Sequence, residues 1–444
     1  MTLTKSSPER IMETDKVGSL LFRLSLPQVF TNVIAVITGF FSGSVISFMD
    51  IDFLTVYTIT LPLCSSVLYA LTCGVCCGSA SFIAANLCDK KKICSVISDG
   101  LLLLNIAYLL FLLICTFAAE PYMRIFSSKP HIVELGIKYI RLSLVPAFFT
   151  TVGTFLMQVL QSMGETALTS AFNLLSIPLS LDLTFVLVFG FGAIPSCGLF
   201  GLIYTLLIIG VLRTVFCVFL LRKRKLKRIL FRPDFKNIKT VMSVAVPAML
   251  QQALATVLVS GFNLIMSSVN EDYMVIMGIF YKWNSLAQSF ILSTSLMPVI
   301  GYNSSIHRFD RVRRTVRNSL VYITLVGAVF TLFMMFFTKQ CLLMFNCPDS
   351  MLETGATIIR ILSIYMLPMS IVNTLSNSSI AIGDGKLGMA ALIVQTAIAL
   401  AGGFVMQNFG GVFSALTFPI AEFAALAAVM LMIFKRSEYL NLRI

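Results

Sequence analysis

Three ionisable side chains stand inside long apolar stretches of the sequence. Asp182 lies in LLSIPLSLDLTFVLVF, Glu422 in FPIAEFAAL and Lys282 in FYKWNSL. A charged group inside such a segment is costly, and residues of this kind usually mark a pathway for ions or substrates. A carboxyl group there can take up a proton or hold a cation. The residue types therefore indicate ion exchange rather than covalent chemistry.

Residues for nucleophilic or metal-dependent catalysis are sparse. The two histidines, His131 and His307, fall in or beside predicted loops, and the sequence has no Walker A motif. The run Cys73-Gly-Val-Cys76-Cys77 is similar to a metal motif, but its small neighbours favour close helix packing. We therefore expect no enzyme activity and no metal site.

Composition assigns the chain to the membrane proteins. Of its 444 residues 57% are hydrophobic and only 12% are charged, and the mean hydropathy is +0.91. A soluble domain carries roughly a quarter of its residues as charged types. Too few charges remain to cover a water-soluble globule, so lipid must be the solvent. The sequence predicts an all-α polytopic membrane protein.

Twelve apolar runs reach the ~20 residues that a helix needs to cross the hydrocarbon. They lie at 22–47, 53–85, 95–118, 136–161, 167–189, 198–221, 241–268, 273–301, 317–338, 356–381, 387–406 and 411–434. With the N-terminus inside, 24 Lys and Arg residues fall on the inner side and three on the outer side. By the positive-inside rule both termini are cytoplasmic, in the cell membrane. Cys341 and Cys347 then fall in an outside loop, where they could pair or stay reduced.

The chain repeats itself after about 220 residues, the spacing of the landmark pairs in its sequence. Pro27 and Pro247 lie near the starts of spans one and seven, and Met163-Gly164-Glu165 and Ile382-Gly383-Asp384 end spans four and ten. We predict an N-terminal lobe at 1–221, a basic linker at 222–239 and a C-terminal lobe at 240–444. Six spans per half give two lobes of equal orientation, related by a pseudo-two-fold axis along the membrane normal. A substrate cavity between two such lobes favours an alternating-access transporter over a channel or a membrane enzyme.

The segments 164–205 and 277–305, with the Asp-Arg of FDRVRR that follows, resemble the MATE family (multidrug and toxic compound extrusion) in its bacterial branch. The resemblance extends over nearly the whole chain. It implies export of amphipathic organic cations in exchange for H⁺ or Na⁺, with no cofactor beyond the coupling ion.

The resemblance also implies an N-lobe coupling site, with an Asp on span one and an Asn and an Asp on span five. The span-five Asp corresponds to Asp182, but Ser42 and Pro178 stand where the other two would be. Those replacements remove side-chain oxygens that a Na⁺ site would use. We therefore keep the predicted architecture and discount the inherited coupling chemistry.

The predicted ion-coupling and substrate-binding residues are those with polar groups inside the spans. They are Asp182, Glu422, Lys282, Ser42, Gln251, Tyr281, Asn284 and Asn373. Asp182 either couples ion movement or pairs with a polar neighbour. Glu422 either carries a proton, attracts a cationic substrate or pairs with a basic group. Lys282 either forms an ion pair with one of these carboxylates, reaches the headgroups, or acts as a counter-ion released during transport.

The expected partners are amphipathic cations and membrane lipid, with no nucleic acid, and we expect a monomer. The expected cycle starts with Asp182 and Glu422 ionised and a cation bound, and ends when H⁺ or Na⁺ neutralises a carboxylate and releases the cation. Arg213 lies near a helix end, from which we expect it to reach the headgroups. Two alternatives stay open: a flippase for lipid-linked sugars or lipids of the same superfamily, and a sensor or scaffold paralogue that has lost transport.

Overall fold

The structure, a computed structural model, describes part of the chain. The described residues are 15–47, 56–57, 59–60, 63–64, 68–126, 129–192, 195–224, 235, 237–270, 273–290, 293–344 and 349–435. Its helices are α1 Val17–Ser47, α2 Leu68–Ala85, α3 Lys90–Phe126, α4 Pro130–Ser162, α5 Thr166–Phe189, α6 Phe200–Lys223, α7 Ile238–Val269, α8 Tyr273–Gln288, α9 Ser293–Ser305, α10 Phe309–Leu343, α11 Asp349–Ser363, α12 Met366–Ala381, α13 Lys386–Met406 and α14 Gly411–Lys435. A 3-10 turn, Gln407–Phe409, joins the last two helices.

The all-helical membrane fold predicted from the sequence is confirmed. Eleven helical segments of the described chain are long and apolar enough to cross a membrane. The predicted span 273–301 consists of two shorter helices, α8 and α9. The predicted span 356–381 consists of α11 and α12, which meet at a turn at Tyr365.

Many large apolar side chains point away from the protein. Phe117 on α3 is 77% exposed and Phe434 on α14 is 81% exposed. In water such surfaces would drive aggregation. In a bilayer they contact acyl chains, as a multi-pass membrane protein requires.

The chain forms two compact units. The N-terminal unit comprises Ile37–Met249, and the C-terminal unit comprises Leu250–Ile444 together with Met1–Val36. The division falls within α1 and α7. The lobe boundaries predicted from the repeat, at 222–239, stay a prediction.

Glycine allows close helix contact inside the N-terminal unit. A Cβ added to Gly78 of α2 would lie 2.4 Å from the backbone oxygen of Val241, and one added to Gly74 would lie 2.6 Å from that of Ala245. Both partners belong to α7. The backbones of α2 and α7 therefore approach as closely as glycine permits.

The repeat in the sequence recurs in backbone geometry. Gly164 and Gly383 follow α4 and α12 and have φ angles of 86° and 91°. The amide of Glu165 donates to the Leu160 carbonyl, and that of Asp384 donates to the Ser379 carbonyl, each at 3.0 Å. These are the turns at which glycine's left-handed backbone ends a helix.

Two asparagines repeat in the same way. The amide of Asn86 donates to the carbonyl oxygen of Phe82 at 2.9 Å, and that of Asn303 donates to Val299 at 2.8 Å. Each asparagine thus bonds back to the residue four positions earlier. The two halves of the sequence use the same local devices at matching places.

Candidate functional site

Glu422 is buried in the interior of the C-terminal unit. It lies in the middle of α14, an apolar helix with Pro419 one turn earlier. The residue is 1% exposed, and its Oε2 accepts no hydrogen bond from any described residue. A buried carboxylate without donors is costly, so the site favours a neutralised carboxyl group.

Tyr365 links Glu422 to polar groups on two other helices. The amide groups of Asn284 and Gln395 are hydrogen-bond partners of the Tyr365 hydroxyl, and Glu422 and Tyr281 are its electrostatic neighbours. These residues come from α8, the α11–α12 turn, α13 and α14. We call the five the Glu422 cluster. It brings three predicted site residues together: Glu422, Tyr281 and Asn284.

Aromatic rings pack around Tyr365 in the Glu422 cluster. The ring centroids of Tyr365 and Phe418 are 4.8 Å apart, those of Phe280 and Tyr365 are 6.3 Å apart, and those of Phe262 and Phe418 are 4.7 Å apart. All four rings belong to the apolar core of this unit. In such surroundings the effective dielectric constant is low, so a change of charge on Glu422 acts strongly on its neighbours.

Several polar atoms near the cluster are buried and lack protein partners. Among the described residues these include the Tyr281 hydroxyl, the Asn284 Oδ1 and the Trp283 Nε1, all on α8. Buried polar groups in proteins are nearly always hydrogen-bonded. The C-terminal unit therefore holds donors and acceptors that its own fold leaves available to an ion or a ligand.

The other predicted residues of the C-terminal unit lie apart from this core or pack elsewhere. Lys282 is exposed on α8, and its predicted ion pair stays a prediction. Gln251 of α7 is half-buried against α13, where a Cβ on Gly388 would lie 2.9 Å from its Oε1. Asn373 donates within α12 to the Met369 sulfur at 2.9 Å.

The N-terminal unit presents a different arrangement. Asp182 is exposed on α5, the same helix that contains Pro178. Ser42 belongs to α1, and its side chain lies outside the described residues. The described structure thus places the Asp182 carboxylate at a surface rather than inside the protein.

Arg213 of α6 is more buried than the sequence suggested. Its Nη1 donates to the Thr154 hydroxyl of α4 at 3.4 Å, and its Nε is buried without a partner among the described residues. We expected the side chain to reach the headgroups. The structure instead holds the guanidinium against α4.

Sequence reasoning missed Tyr365 and Gln395. Gln395 is the one polar amide in the run AALIVQTAIAL, which is a weak signal. Tyr365 has no signal of its own, because a tyrosine within an apolar span is ordinary. Only the packing of α8, α13 and α14 shows what these two residues contact.

The cysteines also differ from expectation in one place. Cys341 lies within α10 and is 1% exposed, so its predicted loop position is wrong, and Cys347 lies outside the described residues. Cys73, Cys76 and Cys77 lie on α2, the helix that packs closely through its glycines. No group of three His, Cys, Asp or Glu within the described part of the chain could hold a metal ion.

Comparison with a family model decides the wider assignment. The model named MatE matches residues 27–186 and again residues 247–405. Together the matches extend over most of the chain. The chain belongs to the MATE family. It is therefore a transporter rather than an enzyme, and the two matches confirm the internal repeat.

Solved MATE structures have the same fold. A crystal structure of MATE in complex with MaL6 has a TM-score of 0.88 at 17% identity, over 99% of this chain and 100% of that chain. A MATE in the bent conformation has a TM-score of 0.86 at 17% identity, over 99% of this chain and 98% of that chain.

A third similar structure is a MOP superfamily transporter from Pyrococcus furiosus. It has a TM-score of 0.88 at 18% identity over the full length of both chains. It is described as having a binding pocket of reverse polarity that suggests a different function. No curated protein matches the chain significantly. At these identities the structures show the fold alone.

Proposed function

We propose that this MATE transporter is a secondary active exporter that exchanges amphipathic organic cations for H⁺ or Na⁺. In the proposed cycle Glu422 takes the coupling ion and Asp182 is the counter-charge for the substrate. Its place would be the cell membrane, with both termini in the cytoplasm, as the 24 inner and three outer basic residues predict.

The observation that supports this most is the environment of Glu422. Its carboxyl group is buried, its Oε2 has no donor among the described residues, and its neighbour Tyr365 belongs to the apolar core. Ionisation there leaves an uncompensated charge in a low-dielectric core. Binding of H⁺ or Na⁺ removes that charge, so the two states of the carboxyl favour different packing of the surrounding helices.

That difference can drive alternating access. Glu422, Tyr365 and Gln395 belong to separate helical segments. Tyr365 connects them, because Glu422 acts on it electrostatically and Gln395 is its hydrogen-bond partner. The neutral state favours close packing, and the ionised state favours an arrangement in which water or a cation reaches the carboxylate. An ion gradient shifts such an equilibrium only through its differential affinity for the two states.

Asp182 suits the role of counter-charge for the substrate. Because its side chain is exposed on α5 and not packed inside the unit, an incoming cation can reach the carboxylate. An ion pair between this exposed carboxylate and the cationic substrate supplies modest affinity. That is appropriate for a substrate that must also be released.

The test is ethidium transport in proteoliposomes, with a pH gradient or a Na⁺ gradient imposed separately. We expect one gradient to drive transport by the unmodified protein. Glu422→Gln should reduce the gradient-driven rate at least about tenfold, which corresponds to ~1.4 kcal/mol of lost coupling. Ethidium binding should persist, because the substitution leaves Asp182 in place.

The matched control is Glu353→Gln. Glu353 is an exposed carboxylate on α11 that pairs with Lys339, so its removal should leave transport unchanged. Wild-type coupling in Glu422→Gln would falsify the role of Glu422. Absence of transport under both gradients, with folded protein, would favour the sensor or scaffold alternative.

A second candidate function is transport of a substrate that carries an anionic group, as a lipid-linked sugar does. Arg213 favours it, because a half-buried guanidinium within α6 is the partner an anion needs. The Pyrococcus furiosus relative described as having reverse pocket polarity supports the same idea. Accumulation of a lipid-linked precursor on deletion of the gene, without sensitivity to ethidium, would favour this candidate.

A further inference from the structure

We propose that a cavity at the start of α10 binds a phosphate group, supplied either by the headgroup of an anionic phospholipid or by a soluble phosphate. The cavity lies within the C-terminal unit and is separate from the Glu422 cluster in sequence. Its volume is ≈ 610 Å³. The lining residues are Val17, His307, Arg308, Phe309, Asp310, Arg311 and Arg314.

The lining carries an excess of positive charge. Arg308, Arg311 and Arg314 contribute three guanidinium groups, and Asp310 contributes one carboxylate. Guanidinium groups present a planar fork of donors that matches phosphate oxygens and remain charged at any physiological pH. A phosphate therefore fits the net positive charge of this wall and the type of donor that it carries.

The backbone fixes the loop that carries these side chains. His307 has a φ of 58°, a left-handed conformation that is uncommon for residues other than glycine. Two hydrogen bonds hold it: the His307 amide donates to Ser304 at 3.1 Å and the Arg308 amide donates to Asn303 at 2.9 Å. This turn ends α9 and starts α10, so His307 and Arg308 are placed beside the first turn of α10.

The cavity also includes the beginning of α1. Val17, the first residue of α1, is part of the lining. Arg311 donates through its Nη2 to the backbone carbonyl of Asp15 at 2.5 Å. A ligand bound here would therefore contact the α9–α10 loop and stabilise the start of α1 against it.

The length of α10 places the cavity at a membrane surface. The helix has 35 residues, whereas about 20 are enough to cross the hydrocarbon. Its apolar part lies toward its C-terminal end, so the arginine-rich start extends to the level of the headgroups. Basic side chains there attract anionic lipid, and the cavity supplies a defined place for its phosphate.

The experiment measures binding to the purified full-length protein in neutral detergent. The probes are short-chain phosphatidic acid, short-chain phosphatidylcholine and inorganic phosphate, with native mass spectrometry and thermal stability as readouts. We expect phosphatidic acid to bind more tightly than phosphatidylcholine. Competition by inorganic phosphate would indicate that the soluble ion also suffices, and binding without competition would assign the site to lipid.

Two variants test the cavity and one variant is the control. Arg308→Gln and Arg314→Gln each remove one guanidinium from the lining and should weaken binding about fivefold, the effect of one basic group near an anionic lipid. Arg317→Gln removes an exposed charge from the same helix outside the lining. This control variant should bind phosphatidic acid within about twofold of the unmodified protein.

Two results would overturn the proposal. If Arg317→Gln weakened binding as much as the other two variants, the attraction would be that of a diffuse basic surface. If phosphatidic acid and inorganic phosphate both failed to bind the unmodified protein, no phosphate site would exist. Because two separate lining residues are tested, misfolding of one variant does not prevent a decision.

Discussion

The N-terminal and C-terminal units hold their intramembrane carboxyl groups in opposite surroundings. In the N-terminal unit Asp182 is exposed, on a helix whose apolar window is only 11% buried. In the C-terminal unit Glu422 is 1% exposed and lies close to the Tyr365 hydroxyl. In the proposed cycle the first carboxylate therefore meets the substrate, and the second meets a small ion that enters the protein core.

The two carboxyl groups lie on helices that the repeat does not pair, since Asp182 shifted by about 220 residues falls on α13 and not on α14. The glycine turns at Gly164 and Gly383 and the asparagine bonds of Asn86 and Asn303 have the same pattern in both halves. A repeated fold can therefore carry a different polar site in each half. The duplication supplies two scaffolds, and in the proposed cycle only one of them holds the ion.

The largest expected contrast is between Asp182→Asn and Glu422→Gln. Asp182→Asn should raise the KM for ethidium about fivefold, equivalent to ~1 kcal/mol of an exposed charge pair, and retain the gradient response. Glu422→Gln should leave the KM for ethidium unchanged and remove the gradient response. Proteoliposome kinetics with varied ethidium measure both effects.

Asp182→Glu serves as the control, since it keeps the charge and should keep the KM within about twofold. If Asp182→Asn removed the gradient response and left KM unchanged, the roles assigned to the two carboxylates would have to be exchanged.

A second contrast concerns packing. Gly78→Ala should destabilise the protein by about 1–3 kcal/mol, because its Cβ would meet the Val241 backbone and push α2 from α7. Gly278→Ala on α8 is the control, since nothing lies within 4 Å of the added Cβ. It should be neutral or slightly stabilising. Thermal unfolding in detergent measures both, and equal losses would mean that the α2–α7 contact is looser than described.

A third prediction concerns the equivalent turns. Gly164→Ala and Gly383→Ala should each lower the free energy of unfolding by about 1–2 kcal/mol, since alanine is strained at these positive φ angles. The two losses should agree within about 0.5 kcal/mol if the turns are energetically equivalent. A large loss at one turn with none at the other, seen by the same thermal assay, would contradict this equivalence.

The smallest expected effect is that of Tyr365→Phe. Loss of the hydroxyl removes the hydrogen-bond partner of Asn284 and Gln395 at a cost of about 0.5–1.5 kcal/mol. The gradient-driven transport rate should fall a few-fold. In a protein that already carries Glu422→Gln, the same substitution should cause no further fall in that rate. Additive losses in the double variant would show that Tyr365 and Glu422 act independently.

The sequence alone determined the membrane class, the positions of most spans and the repeat, and it marked Glu422 as a candidate site residue. Each of these follows from local properties: hydropathy over ~20 residues, recurring turn residues, or one charge in an apolar run. The same local evidence placed Cys341 in a loop, because the predicted span ends at residue 338. It lies inside α10.

Only the tertiary structure decided which polar residues meet. Asn284, Tyr365, Gln395 and Glu422 are separated by tens of residues, and no local pattern states that their helices pack together. Lipid and protein interior are both apolar, so hydropathy does not show which face of a span meets a neighbour. The exposure of Asp182 and the partial burial of Arg213 depend on that packing, and so do the roles proposed for the two carboxyl groups.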